Sequence, residues 1–154
     1  KNMKKSAGIL PFKKSNHTVF FFLAHYGGPL WVNKDTGAWS IIKGGVENEE
    51  SCLDAAMREW HEETHIQIDG KYIPLKSIRQ KSGKIVEAYA IQCDFDPSLL
   101  VSNEFEMEWP PKSGKINRYP EVDRADWFDL EHAKQKINPA QIDFLLQVLS
   151  LVSE

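Results

Sequence analysis

The stretch GGVENEESCLDAAMREWHEETHI, residues 44–66, carries six glutamates, one aspartate and a single arginine. No other segment narrows so far what this chain can fold into. From Ser51 to Thr64 it reads as a helix. Ser51 with Asp54 three residues on fits a capping-box start. Leu53, Ala56, Met57 and Trp60 recur at i, i+3, i+4 and i+7 and predict one apolar stripe that another layer must cover. At about 100° per residue, Glu59, Glu62 and Glu63 gather on a neighbouring face. Such a helix is buried along one side and leaves three carboxylates crowded beside the buried stripe.

A merely solvated helix face is usually stabilised by acid–base pairs four residues apart. Here Glu59 and Glu63 form an acid–acid pair at that spacing, which costs about 0.2–0.5 kcal/mol. Arg58 alone can compensate, through Asp54 or Glu62. A divalent cation would turn the repulsion into binding, because hard ions such as Mg²⁺ take oxygen ligands and need only a few carboxylates beside water and phosphate. Just upstream, Lys43-Gly44-Gly45 supplies backbone that can approach an ion or a phosphate closely.

The remainder of the chain is expected to complete a single domain over residues 1–154. Residues 1–4 are expected to be disordered or vector-derived. With 42% hydrophobic and 27% charged residues and a net charge of −3, the chain lacks the basic surface expected of nucleic-acid or membrane binding. No apolar run approaches the roughly 20 residues that span a bilayer. Cys52 and Cys93 share no recognisable spacing, so two reduced thiols and a cytoplasmic location are expected.

SAGILPF and TVFFFLAHY, either side of the polar KKSNH, predict a β-hairpin. A Gly-rich loop carrying Trp31 and Trp39 leads to a short strand, SII. YIPLKSIRQ and IVEAYAIQCDF read as two further strands. Residues 102–125 contain three prolines and no clear period, so they are read as a long functional or mobile loop. DWFDL is read as a closing strand and LEHAKQKI as a short helix. A last helix starts with Asn138 as cap and Pro139 at its first position. Strands and helices mixed in this way, with an early hairpin, point to an α+β fold and away from a purely parallel doubly wound sheet.

Gly44, five residues, Glu50, seven residues, Arg58-Glu59-Trp60, one residue, Glu62-Glu63, one residue, His65-Ile66: this spacing resembles the Nudix box. Only the second glycine of the box is missing, replaced by His65. The leading GAWSIIKGG and the closing EVDRADWFDL extend the resemblance over nearly the whole chain. It implies a Nudix fold, a mixed β-sheet sandwiched between α-helices. It also implies a hydrolase that cleaves a nucleoside diphosphate linked to another group, using Mg²⁺ or Mn²⁺. Dinucleoside polyphosphates and nucleoside triphosphates are the leading small-molecule substrates.

Carried onto this chain, the resemblance makes Glu59, Glu62 and Glu63 candidate metal ligands, with the Gly44 carbonyl as a further one. Arg58 and Glu50 would form a supporting ion pair. The general base would be a box glutamate or one on a later segment, where Glu106 is favoured over its neighbours Glu104 and Glu108. His65 is expected to cap the helix in the left-handed region, where histidine is among the enriched non-glycine residues. Lys43 is the first choice for a phosphate contact, with Arg79, Lys81 and Lys84 behind it. Trp31 or Trp109 is preferred over Tyr26 and Trp39 for stacking on a base. Two rival readings are a catalytically silent Nudix-fold binding domain and a prenyl diphosphate isomerase. The latter would need a catalytic cysteine, and neither Cys52 nor Cys93 has the setting for one.

Overall fold

In the computed structural model, which describes residues 4–153, the chain opens with the predicted hairpin. Strands β1 (Lys5–Ser15) and β2 (Thr18–Tyr26) are joined by Asn16 and His17, both with positive φ. The short strands β3 (Trp39–Ser40) and β4 (Ile42–Gly45) lead to helix α1 (Cys52–Thr64). Next come β5 (Ile73–Pro74), β6 (Ile78–Arg79) and β7 (Ile85–Gln92). Strands β8 (Glu104–Glu108) and β9 (Ile116–Pro120) form a two-stranded sheet of their own. The closing strand β10 (Val122–Asp129) runs straight into helix α2 (Leu130–Lys136), and α3 (Ile142–Val152) ends the fold.

The main sheet has the order β10-β2-β1-β7-β5 and is mixed, because β1 and β7 are parallel while β1 and β2 are antiparallel. On its other side β1 changes partner part-way. Ser6 to Ile9 pair with β4, and Phe12 to Ser15 pair with β2. Pro11, which has no N–H to give to a ladder, stands in the changeover. Further along, β2 pairs with β3, Ala24 opposite Ser40 and His25 opposite Trp39, and these paired segments form the floor of the site described below.

Alternation along the strands divides the core into two layers. Leu10, Phe12, Phe21 and Leu23 face Ala133 of α2 and Phe144, Leu145 and Val148 of α3. Ile9, Phe22 and Ala24 face Ala55, Ala56 and Trp60 of α1. The sheet therefore lies between helices, as the α+β expectation required. Trp60 meets Phe22 edge-on at 5.5 Å, and Phe95 and Trp127 close the same aromatic cluster.

Three expectations need correcting. Residues 1–3 lie outside the described residues, but Lys4 is in place, its carbonyl accepting the Ile85 N–H at 2.8 Å. On α1 the apolar stripe is turned from its predicted position. Ala55 and Ala56 are fully buried, Leu53 is half-buried, and Met57 is 42% exposed. Small side chains let α1 lie close on β1 and β4, with Trp60 as its one large buried residue. Residues 102–125 are not a loop: they form β8, β9 and the first half of β10. In β8 the inner residues Phe105 and Met107 alternate with exposed glutamates. The prolines that hid the pattern fall in the hairpin turn and at the end of β9, where no ladder donor is needed.

Both helix signals at the ends of α1 are as expected. The Ser51 hydroxyl accepts the Asp54 N–H at 3.0 Å. His65 sits at φ 56°, ψ 25°, with its N–H on the His61 carbonyl. Its imidazole Nδ1 also lies 2.7 Å from the Val101 carbonyl. His65→Val is expected to destabilise the fold by about 1–2 kcal/mol, since a β-branched residue tolerates this conformation poorly. His65→Gly relieves the strain, but regains unfolded-state entropy of about 0.4–1 kcal/mol and loses a hydrogen bond of about 0.5–1.5 kcal/mol. It should come out near neutral, and denaturant midpoints for the two variants check the contrast.

Candidate active site

The close seat of α1 on the sheet puts its carboxylates against β4. A Cβ on Gly44 would fall inside the Glu59 carboxylate, so a side chain there would displace that carboxylate from its seat on β4. Arg58 lies across the same junction. Its Nε and Nη2 grip both oxygens of Glu50 at 2.8 and 3.1 Å. Nη2 also donates to the Gly45 carbonyl at 3.0 Å, and Nη1 to Glu59 at 3.0 Å and Glu62 at 3.4 Å. Glu50 accepts the Glu47 N–H as well, closing the loop before the helix. The hydrogen bonds from Arg58 hold the Glu50 carboxyl below its ordinary range, and Glu50 in turn raises the Arg58 guanidinium. The predicted Arg58–Glu50 pair is thus present, bidentate and shared with two further acids.

A pocket of about 120 Å³ opens over the paired ends of β2 and β3 and the start of β4, lined by His25, Tyr26, Lys43, Glu63 and Glu121 among others. Burial pushes the Glu63 carboxyl up to about 7. The Ser102 hydroxyl pulls the other way, and Glu121, Glu59 and Glu62 add to the rise. Burial also raises Glu59, opposed by Arg58 and reinforced by Glu62 and Glu121. Burial raises Glu121 too. The Lys43 ammonium is lowered by burial and then by Lys84, with Glu59 acting against both. Acids crowded in this way, with one arginine already engaged, are a donor set suited to a hard cation. Among the described residues no three of them stand gathered as a closed coordination shell. That is compatible with Mg²⁺, which usually keeps several waters and takes one or two carboxylates plus substrate phosphate.

Of the residues singled out in the sequence, Lys43 and Glu63 line the pocket, and Gly44, Glu50, Arg58, Glu59 and Glu62 form the cluster around the Arg58 guanidinium. Glu106 does not line the pocket: it is exposed on β8 and pairs across the hairpin with Arg118 at 3.3 Å, as Glu104 does at 3.0 Å. Glu108 accepts the Gly114 N–H in the hairpin turn. Arg79 is occupied with the Gly83 carbonyl, closing the turn before β7. Trp31 packs behind Tyr26, with ring centroids 4.7 Å apart, and so only Tyr26 of the two reaches the pocket wall. Trp109 is part of the hairpin end, its N–H on the Lys115 carbonyl. Trp39 is core, bonded to Asp35.

Two pocket residues escaped the sequence reading. Glu121 sits between β9 and β10, held by its N–H on the Asn103 carbonyl and by its own carbonyl on the Gly27 N–H. A Cβ at Gly27 would collide with the Pro120 carbonyl, so glycine is required where the hairpin root docks. His25 is fully buried between the Asp123 carboxylate at 2.8 Å and the Lys34 carbonyl at 2.6 Å, tying the 27–38 loop to β10.

A family model described as the NUDIX domain matches residues 4–148. The chain belongs to the NUDIX family. It is a hydrolase of phosphorus anhydrides by that membership, and the box is the segment read above with His65 in place of glycine. An RNA pyrophosphohydrolase of Bartonella tribocorum is 25% identical over 148 residues, covering 79% of this chain and 79% of that protein. An octanoyltransferase of Myxococcus xanthus is 29% identical over 101 residues, 66% of this chain, and the chain spans only 25% of that relative's length. A binary complex of the C. elegans Ap4A hydrolase has the same fold, with TM-score 0.64, 20% identity and 96% of each chain covered.

Two predictions follow from the electrostatics of this NUDIX hydrolase in its metal-free form. Arg58→Ala leaves Glu50, Glu59 and Glu62 without their shared cation. The group is only partly buried, so the expected loss is about 1–3 kcal/mol, below the figure for a fully buried pair. Thermal melts of the variant in chelator check it. For Glu63, a carboxyl raised to about 7 in the fold binds protons more readily there than in the unfolded chain. Its contribution is therefore lost as pH rises from about 4.5 through about 7. Glu63→Gln should remove that part of the slope and be more stable than wild type at pH 8, as denaturation at pH 5 and pH 8 will show.

Proposed function

We propose that this NUDIX hydrolase is Mg²⁺-dependent, with Mn²⁺ as an alternative, and cleaves a diphosphate linkage in a small nucleotide. Dinucleoside polyphosphates and nucleoside triphosphates are the favoured substrates. The observation that carries this reading is that Glu63 of α1 and Glu121 at the entry of β10 line one pocket with Lys43, with Glu59 close enough to act on both acids and Arg58 already spent. Glu59, Glu62, Glu63 and the Gly44 carbonyl would hold the metal. When bound, it would neutralise the diphosphate, activate water and stabilise the leaving phosphate.

The chain's own residues supply the rest. Arg58 fixes the carboxylates of Glu59 and Glu62 by taking one oxygen of each. Lys43 faces the pocket with its charge partly stripped of solvent, which suits a phosphate oxygen. Glu121 takes the place proposed for Glu106 as proton acceptor, since it lines the pocket, where Glu106 does not, and burial raises its carboxyl. The pocket is well short of the about 300–1,000 Å³ of a ligand cleft, so it takes the reacting phosphates and leaves the nucleoside on the open surface. Tyr26, with Trp31 behind it, is the aromatic wall nearest that surface.

The Bartonella relative is named an RNA pyrophosphohydrolase, and the same hydrolysis of a pyrophosphate bond would serve here. A net charge of −3 favours a small nucleotide over a long polyanion. Cys52 and Cys93 are unpaired, in keeping with a reducing, cytoplasmic setting. Burial pushes the Cys93 thiol up to about 11, which suits a structural thiol and not the isomerase reading.

The test is a panel of nucleotide diphosphates assayed for phosphate and nucleotide release with and without metal. Release is expected only with Mg²⁺ or Mn²⁺. Glu62→Gln and Glu63→Gln should fold normally and lose most turnover. Glu121→Gln should cost about 10²–10⁴ in kcat, the usual range for a general base, while Glu106→Gln stays near wild type. A panel that yields no release with either metal would overturn the reading of a Mg²⁺- or Mn²⁺-dependent nucleotide hydrolase.

A further inference from the structure

Outside the box, the short stretch Val101-Ser102-Asn103, just before β8, makes an unusual set of contacts. The Val101 N–H donates to the Thr64 carbonyl at 3.0 Å, and the Val101 carbonyl meets the His65 imidazole at 2.7 Å. The Ser102 hydroxyl lies 3.0 Å from Glu63 Oε1 and accepts the Val122 N–H at 3.0 Å. The Asn103 carbonyl accepts the Glu121 N–H at 2.8 Å. Each residue of the strap thus bonds either the C-terminal end of α1 or the entry of β10, and Ser102 bonds both.

The hydroxyl has one proton and a second acceptor within reach, the Asn103 carbonyl at 2.8 Å. A bond to a carboxylate is about twice as strong as one to a neutral acceptor, so the proton goes to Glu63. Its lone pair then takes the Val122 amide, next in the chain to Glu121. One side chain in this way sets the distance between a carboxylate on the helix and the backbone that carries another. The strap is tied down by His65, the position where this chain leaves the box, and a glycine there would offer no side chain to hold it.

We propose that Ser102 is a positioning residue for the hydrolysis: it holds the Glu63 carboxylate and the Glu121-bearing end of β10 in one frame, with His65 anchoring the strap. This rests on the reading of the carboxylates as a metal site. It assigns the hydroxyl no contact with substrate.

Ser102→Ala and Ser102→Thr separate the role, because threonine keeps the oxygen. In metal-free protein, amide exchange at Val122 should quicken in the alanine variant and stay near wild type in the threonine variant. Mn²⁺ titration should show affinity about 10- to 100-fold weaker for alanine, the usual loss when a ligand's supporting bond is removed, and restored by threonine. Steady-state kinetics should show kcat falling over the same range with KM unchanged, because Lys43 and Tyr26, the proposed substrate contacts, do not touch Ser102. Wild-type exchange, Mn²⁺ affinity and kcat in Ser102→Ala would overturn the proposal. So would a threonine variant as impaired as alanine while its Val122 amide stays protected. If the wild-type chain binds Mn²⁺ yet hydrolyses nothing in the panel, the functional reading fails, and the Mn²⁺ titration alone decides whether Ser102 positions Glu63.

Discussion

One guanidinium holds the acidic edge of this molecule together. Arg58 reaches Glu50 through two bonds, the Gly45 carbonyl through one, and Glu59 and Glu62 through its remaining amine. Lysine could not replace it, since an ammonium has no planar fork with which to take a carboxylate by both oxygens and still serve other acceptors. Because the loop, the helix and β4 all end on this one group, the sheet edge and the first turns of α1 are fixed relative to each other. Glu63 and Glu121 lie beyond its reach. They are the acids left for something else to neutralise.

The floor under that chemistry is laid by strand pairing. Strand β1 gives its first half to β4 and its second to β2, and β2 goes on to pair with β3 beneath the pocket. Alanines at 55 and 56 bring the helix near enough for Glu59 to occupy the space over Gly44. Small residues on the helix and a missing side chain on the strand are two halves of one fit.

Much of this could be read from the residues before any coordinates, and for identifiable reasons. The helix, its Ser51 cap and the left-handed His65 depend on neighbours within a few positions, where propensity and period act directly. The Arg58–Glu50 pair came from the resemblance of the spacing, not from the charges themselves, which also allowed Asp54 or Glu62. Glu121 could not be seen in this way. It owes its place to bonds with Asn103 and Gly27, from other parts of the chain, and it lay in a proline-bearing stretch taken for a loop. Glu106, in a tidy alternation, looked the better candidate and proved to be a cross-strand partner of Arg118. The stripe on α1 was misjudged for a related reason: periodicity marks a face, but the strand opposite decides how large its residues can be.

The position of β1 also bears on how the molecule comes to be folded. Its neighbour β2 follows after two residues, so that hairpin closes locally and fast. Its parallel partner β7 begins at Ile85, paired with Lys5, and the two can meet only after a loop of some eighty residues has been closed. Contacts of such long sequence separation slow folding and prolong the life of partly formed states. During that interval the edge of β1 that β7 will pair, from Lys5 to Phe12, keeps its backbone N–H and C=O groups without a ladder partner. The central strand of the finished sheet therefore stands open to a wrong partner until late in the chain, and β2 beside it waits longer still, because β10 begins only at Val122.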